Sequence, residues 1–292
     1  MSFTKSQTRT AQILRLSFSQ IHRVMCRAVD RGLSRRDPTE KYYYLSIDEK
    51  ANLKGHNYIS VLSDESSGIV IDVAEGRTKA SVEELCNKVS IEQREDVKTI
   101  CTDMWDAFIY GAKKFFPNAM LCHDNFHLVG YLNKAVDKVR RREVKKHEAL
   151  KNTKYIFLKD QSNYTTKQWA VFNSIDHANY EVSRAWRIKV NFRDIQFRQE
   201  KADAIQVFGH WRKNAMNAKI KEISDVVDMF DRHVVGIINA IQTGSNNARA
   251  ERINGAIQEL KVIGRGYRNY KSIRRAILFF HGNLDLLPHK NL

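Results

Sequence analysis

Apolar and polar positions change their spacing several times along this chain. Residues 10–36 place Ile13, Leu14, Leu16, Ile21, Val24 and Met25 at roughly helical intervals among arginines. Ser17 with Gln20 forms the sequence of a capping box, so a second helix is expected to begin there. Pro38 marks a boundary. From Tyr42 the spacing turns strand-like. Residues 42–47, 57–62 and 69–73 read as three strands, the last two flanking the polar turn 63–68. Residues 78–89 read as a helix, 97–102 as a fourth strand, 105–116 as a helix stopped by Pro117, and 119–123 as a short fifth strand. Beyond Phe126 the pattern is helical. Residues 155–240 are rich in aromatics, with Trp169, Trp186 and Trp211 read as packing residues of an all-helical insertion. Thr243 to Asn247 reads as a turn that caps the next helix.

Three antiparallel strands followed by helix, strand, helix and strand is the order of an RNase H-like core. The expected class is therefore α/β: a mixed sheet of three antiparallel strands and then two parallel ones, an all-α insertion and a short N-terminal helical segment. In that order the first and fourth strands are neighbours, which brings Asp48 beside Asp103. The divisions expected are 1–38 as a partial helix-turn-helix or DNA-binding segment, 39–280 as the catalytic domain with its insertion at about 150–243, and 281–292 as a tail.

Composition narrows the partner. The 292 residues carry a formal net charge of +16. The positive charge is spread over several segments rather than one amphipathic helix, which favours nucleic acid over a membrane surface. The longest strongly apolar stretch, 234–241, is too short to cross a bilayer. The N-terminus has no apolar core of the signal-peptide kind. A cytoplasmic, nucleoid-associated protein with no membrane partner is expected. Cys26, Cys86, Cys101 and Cys122 form no CxxC pair and read as reduced core thiols.

Asp48 and Asp103 each follow an apolar strand, and Glu251 lies in a basic helical run, 247–254. Carboxylates from separate elements in a basic protein fit two divalent cations, Mg²⁺ or Mn²⁺, acting on phosphodiesters. Asp48, central in the sheet, would bridge both ions, with Asp103 and Glu251 each completing one site. Glu49, Asp64 and Asp106 are local competitors for those places. Residues 133–154 hold nine Lys or Arg against three acids, densest at Arg140, Arg141, Arg142, Lys145 and Lys146. That run is either a phosphate-tracking surface or a solvated helix face. Arg23, Arg27, Arg249 and Arg252 are further candidate DNA contacts. Asp124 is placed to cap a helix that carries His127 in its first turn. His123 reads as structural, with a zinc site of Cys122, His123, Asp124 and His127 as the lesser alternative.

The segments Ser46-Ile47-Asp48-Glu49, Cys101-Thr102-Asp103-Met104-Trp105, Asp124-Asn125-Phe126-His127 and Asn247 to Asn254 together resemble the DDE transposases of bacterial insertion sequences, in the ISL-three group. The basic stretch from Lys261 to Tyr267 also resembles that family. The resemblance implies an RNase H-like catalytic domain, with Asp48, Asp103 and Glu251 as catalytic metal ligands and His127 positioning phosphate. It implies water attack at the ends of the insertion element, then attack of the freed 3′ hydroxyl on target DNA, by a homo-oligomer assembled on DNA. Family members usually begin with a zinc ribbon and a full helix-turn-helix. Residues 10–36 resemble the tail of that region, so the chain reads as an N-terminally truncated member. Arg252 stands where family members often have glycine. Two alternatives stay open: a non-catalytic DNA-binding remnant, and another RNase H-like DNA nuclease.

DNA affinity is expected to fall steeply with salt, with a slope of log K against log salt of about −0.9 for each phosphate contacted. A flat response in a fluorescence-anisotropy titration refutes the phosphate contacts.

Overall fold

The computed structural model describes residues 6–53, 57–195, 200–244, 248–264, 267 and 269–288; the side chains of 52, 53 and 248–251 lie outside the description. The chain divides into two compact units, one of residues 1–121 with 247–292 and one of residues 122–246.

The first unit begins with two helices, α1 (Gln7–Leu14) and α2 (Phe18–Ser34). The expected capping box is present: the Ser17 hydroxyl accepts from the Gln20 N–H, and the Gln20 side chain accepts from the Ser17 N–H. The apolar face differs from the sequence expectation. Ile21 and Met25 are buried, whereas Ile13, Leu14, Leu16 and Val24 are exposed. Arg15, with φ 54°, breaks the helical phase between α1 and α2, so no single 3.6-residue stripe runs through both.

A five-stranded sheet follows, in the order β3-β2-β1-β4-β5. Its strands are β1 (Tyr44–Leu53), β2 (Asn57–Asp64), β3 (Ile69–Glu75), β4 (Thr99–Thr102) and β5 (Met120–His123). β1 pairs antiparallel with β2, β2 antiparallel with β3, and β1 parallel with β4. The adjacency of the first and fourth strands read from their order is thus present. The β2–β3 turn is held by Asp64, whose carboxylate accepts from the Ser66 and Ser67 N–H groups at 2.9 and 3.0 Å. Gly68 closes that turn with φ 74°, a conformation glycine adopts without strain.

Helices α3 (Lys79–Cys86), α4 (Ile91–Glu95) and α5 (Asp106–Phe115) connect the later strands. α4 was not anticipated. Five residues are too few to show periodicity, although its Ser90–Gln93 capping box was visible in the sequence. On one face of the sheet, Leu45, Ile47, Leu62 and Ile100 form a core with Val82 and Leu85 of α3 and Phe108 of α5. On the other, Ile59, Val61 and Val73 pack with Val29 of α2 and with α13 (Ala248–Ile263) and α14 (Tyr270–His281). Buried apolar area on both faces supplies the main driving force, about 25 cal/mol per Å². Beyond α14 the chain returns to α2. Arg31 donates to the Leu286 carbonyl, and Arg35 donates to the Leu287 carbonyl and the Asp285 carboxylate.

The second unit holds α6 (Asn125–Val144), α7 (Lys154–Leu158), α8 (Thr166–Ser174), α9 (Glu181–Arg193), α10 (Lys201–Asn217), α11 (Lys221–Arg232) and α12 (Val234–Thr243). Its interior is aromatic. Phe192, Phe208 and Phe230 surround Trp211, whose indole N–H donates to the Ile188 carbonyl at 3.0 Å. Trp211 and Trp186 are buried packing residues; Trp169 is partly exposed beside Tyr164 and Phe172. α12 ends at Gly244, with φ 64°. The cap expected for the following helix falls largely on 245–247, outside the described residues. Among the described residues, no helix is long and apolar enough to cross a membrane.

α5 lies so close to α3 that a Cβ at Gly111 would sit 2.2 Å from the Val82 Cγ1. Gly111→Ala is expected to lower stability by about 1–3 kcal/mol in urea unfolding, through overpacking against a stiff β-branched side chain. Val82→Ala in the same chain should recover part of that loss. Strictly additive losses would refute the close approach.

Candidate functional site

Asp48 sits inside β1 rather than at its end, because β1 runs on to Leu53 through its pairing with β2. The parallel pairing with β4 is shorter, ending at Ile47 opposite Thr102. The next residues along that register are Asp48 and Asp103. Parallel neighbours lie about 4.8 Å apart, so the two aspartates occupy adjacent positions where β4 stops.

Alternation along β1 decides which acid faces which way. Leu45 and Ile47 point into the core beneath α3 and α5. Asp48 therefore turns to the opposite face, where α13 packs. There its Oδ2 accepts a hydrogen bond from the Asn254 side-chain amide. Its Oδ1 accepts from the Glu49 N–H at 2.7 Å. The carboxylate is only 7% exposed. The Asp103 Oδ1 accepts from the Met104 N–H at 2.6 Å.

The three local competitors have other work. Glu49 faces away from Asp48 and binds Arg77 through both oxygens, at 3.1 and 2.8 Å. Hydrogen bonding to the Glu49 carboxylate is the main cause of the raised pKa of Arg77. The same guanidinium lies 4.2 Å from the centre of the Tyr58 ring and 4.4 Å from that of Trp105. The Trp105 indole donates to the Arg77 carbonyl at 2.9 Å. Asp64 holds the β2–β3 turn, and Asp106 occupies the first turn of α5, where its charge suits the helix dipole.

Glu251 lies in α13, three residues before Asn254 and so on the same face of the helix. Its side chain, like that of Arg249, is outside the described residues. Among the described residues, no group of three or more His, Cys, Asp or Glu is assembled for a metal. Asp48 and Asp103 nevertheless offer oxygen donors of the type a hard divalent cation takes. Lys261, further along α13, donates to the Ala51 carbonyl. Burial first, and then the charge of Lys50, lowers its pKa.

In the second unit, Asp124 caps α6 as expected, its Oδ1 accepting from the Phe126 N–H at 2.9 Å. His127 Nε2 lies 3.7 Å from the Asp124 Oδ2. His123 is buried, edge-on to His233 at 5.4 Å and against Gly236, where a Cβ would sit 2.4 Å from the imidazole Cδ2. Its surroundings are those of a packed residue.

The basic run at the end of α6 is not uniform. Arg140 and Arg141 both pair with Asp137, at 2.8 Å each. Arg142 reaches Glu181 of α9 at 2.6 Å and Glu222 of α11 at 3.0 Å. Glu143 is buried and accepts from the N–H groups of Glu181 and Val182, at 3.0 and 2.7 Å, capping α9. Arg142 thus links α6 to α9 and α11, and Arg140 and Arg141 share an acid on their own helix; Arg141, Arg142, Lys145 and Lys146 are exposed. Arg23 and Arg27 of α2 and Arg252 of α13 are also exposed. Asn254 and Arg77 were missed in the sequence. Asn254 stands one helical turn after Glu251, a spacing that could have drawn attention to it.

Asp48 and Asp103 follow the last paired residues of β1 and β4, Glu251 lies in α13, and comparison with known proteins gives the class. A family model for transposases of the ISL-three type matches residues 45–277, and the chain belongs to that DDE transposase family. It is similar to the transposase of insertion sequence IS1001 from Bordetella parapertussis, 24% identical over 247 residues, covering 82% of this chain and 61% of the relative. It is also similar to the IS1557 transposase of Mycobacterium tuberculosis, 22% identical over 315 aligned positions, covering 98% of this chain and 71% of the relative. The chain thus spans about three fifths of the length of the IS1001 relative.

Arg142→Ala is expected to lower stability by about 1 kcal/mol, since two partly exposed ion pairs are lost together. Replacing Lys145 and Lys146 by Ala should leave stability within about 0.5 kcal/mol. It should instead reduce the salt slope of DNA binding by roughly 1–2. The reverse pattern, seen by urea unfolding and anisotropy, would overturn this division of roles.

Proposed function

We propose that this chain carries the RNase H-like catalytic core of a DNA transposase, which cleaves DNA at the ends of an insertion element and joins the freed strands to target DNA. The observation that carries the reading is the placement of Asp48 and Asp103 at adjacent positions where the parallel β1–β4 pairing ends. Asp48 turns toward the helix that bears position 251. Membership of the transposase family supports it.

In this reading Asp48, Asp103 and Glu251 would hold two Mg²⁺ or Mn²⁺ ions, Asp48 serving as the common ligand. The ions, when bound, lower the pKa of the attacking oxygen and neutralise charge on the leaving one. The protein's own part is positional. β1 is fixed from both sides, so Asp48 is held with little loss of side-chain freedom on binding. Glu49, tied to Arg77, is kept off the face that Asp48 presents. His127 keeps the phosphate-positioning role that the family resemblance gives it. Arg23, Arg27, Arg141, Lys145, Lys146 and Arg252 contact the phosphate backbone, and Arg249 is assigned with them from sequence. The working form is a homo-oligomer assembled on DNA in the nucleoid.

Asp103→Asn is the decisive variant. Loss of one carboxylate ligand removes several kcal/mol of transition-state stabilisation, roughly a hundredfold or more in rate. Nicking of DNA carrying the insertion-element ends, followed on gels with Mg²⁺ or Mn²⁺ at matched salt, should fall by that factor while DNA affinity is retained. A variant that nicks as fast as the parent sinks the proposal.

A further inference from the structure

One part-buried contact at the site involves a residue to which the family reading gives no role. Asn254 of α13 donates its side-chain N–H to the Oδ2 of Asp48, across 206 positions of sequence. We propose that Asn254 is a positioning residue for the metal-binding carboxylate of Asp48. The inference rests on the functional reading above and deepens it.

Three observations carry it. First, the contact is not needed to dock the helix. Ile253, Ile257 and Leu260 of α13 already pack beneath the sheet with Ile59 and Val61. A polar side chain placed beside Ile253 and aimed at a carboxylate has a purpose other than adhesion.

Second, the chemistry of the donor is selective. A carboxylate that is 7% exposed must keep its charge by hydrogen bonding or ion pairing. An Arg or Lys partner would do this, but would also repel an incoming divalent cation and compete for the same oxygens. Glu49, one residue along, has such a partner in Arg77. The donor that Asn254 brings to Asp48 is a neutral amide. The neutral N–H fills one lone-pair site on Oδ2 and leaves the negative charge undiminished.

Third, Asn254 stands one helical turn beyond position 251 on the same face of α13. The hydrogen bond therefore fixes the rotational phase of that turn of the helix against β1. One contact both aims the Asp48 carboxylate and registers the helix that supplies the third acid. Groups that orient metal ligands from behind commonly change metal affinity by about 10–100-fold when removed.

The test uses the full chain with Asn254→Leu, which keeps the approximate volume without a donor. Asn254→Ala serves if the leucine variant does not fold by circular dichroism. Mn²⁺ is titrated into DNA-free protein and followed by electron paramagnetic resonance. Nicking is then measured across a Mn²⁺ series. The expected result is Mn²⁺ binding weakened by about 10–100-fold and a matching shift in the Mn²⁺ needed for half-maximal nicking. The rate at saturating Mn²⁺ should stay within a few-fold of the parent. Affinity equal to or tighter than the parent overturns the assignment, the tighter case making Asn254 a competitor of the ion. Parent protein that binds no Mn²⁺ overturns the functional reading itself, a different outcome from a parent that binds and a variant that binds equally well.

Discussion

The pairing of β1 with β4 is the constraint on which the site depends. Four residues on each strand make the parallel ladder, from Tyr44 with Thr99 to Ile47 with Thr102. Because side chains alternate along a strand, burying Leu45 and Ile47 under α3 and α5 leaves no choice for Asp48. It must face α13. A slip of one residue would bury the carboxylate in the core beneath α3 and α5 and turn Ile47 toward α13. The apolar pattern of β1 thus enforces the direction of the acid as firmly as any polar contact does.

Much of this was legible beforehand. The strand order could be read because each strand is a short β-branched or aromatic run with a turn signal at its end, and the order alone brings Asp48 and Asp103 together. The Ser17–Gln20 cap was equally plain, because capping boxes are local. Three things were not legible, each for a physical reason. β1 is longer than its apolar run, since Glu49 and Lys50 look like loop residues until their pairing with β2 is known. The outward turn of Ile13, Leu14, Leu16 and Val24 depends on the left-handed backbone at Arg15, which composition does not reveal. The roles of Glu49, Asp64 and Asp106 needed partners distant in sequence or a turn geometry, so spacing could not separate them from Asp48 and Asp103.

The second unit shows that the members of a charge run can have different partners. Arg140 and Arg142 look, in sequence, like the centre of a polyanion-binding patch. In the folded chain Arg140 pairs with Asp137 on its own helix, Arg142 bridges to two further helices, and Glu143 among them is a buried helix cap. A guanidinium offers several donors in a fixed fork, which suits it to bridging two helices at once, as Arg142 does between α9 and α11. Lysine, a single flexible point charge, is poorly suited to that task.

The Arg77 sandwich carries this distinction a step further. Its guanidinium has an aromatic ring within 4.4 Å on each of two sides, Tyr58 and Trp105, and a carboxylate on its donors. One terminal nitrogen of this cation is committed to Glu49 and the guanidinium lies close to both rings. It contributes a unit to the net charge of +16 yet has little freedom to meet a phosphate. The formal valence of the protein and the valence its surface can lend to a polyanion are therefore different quantities.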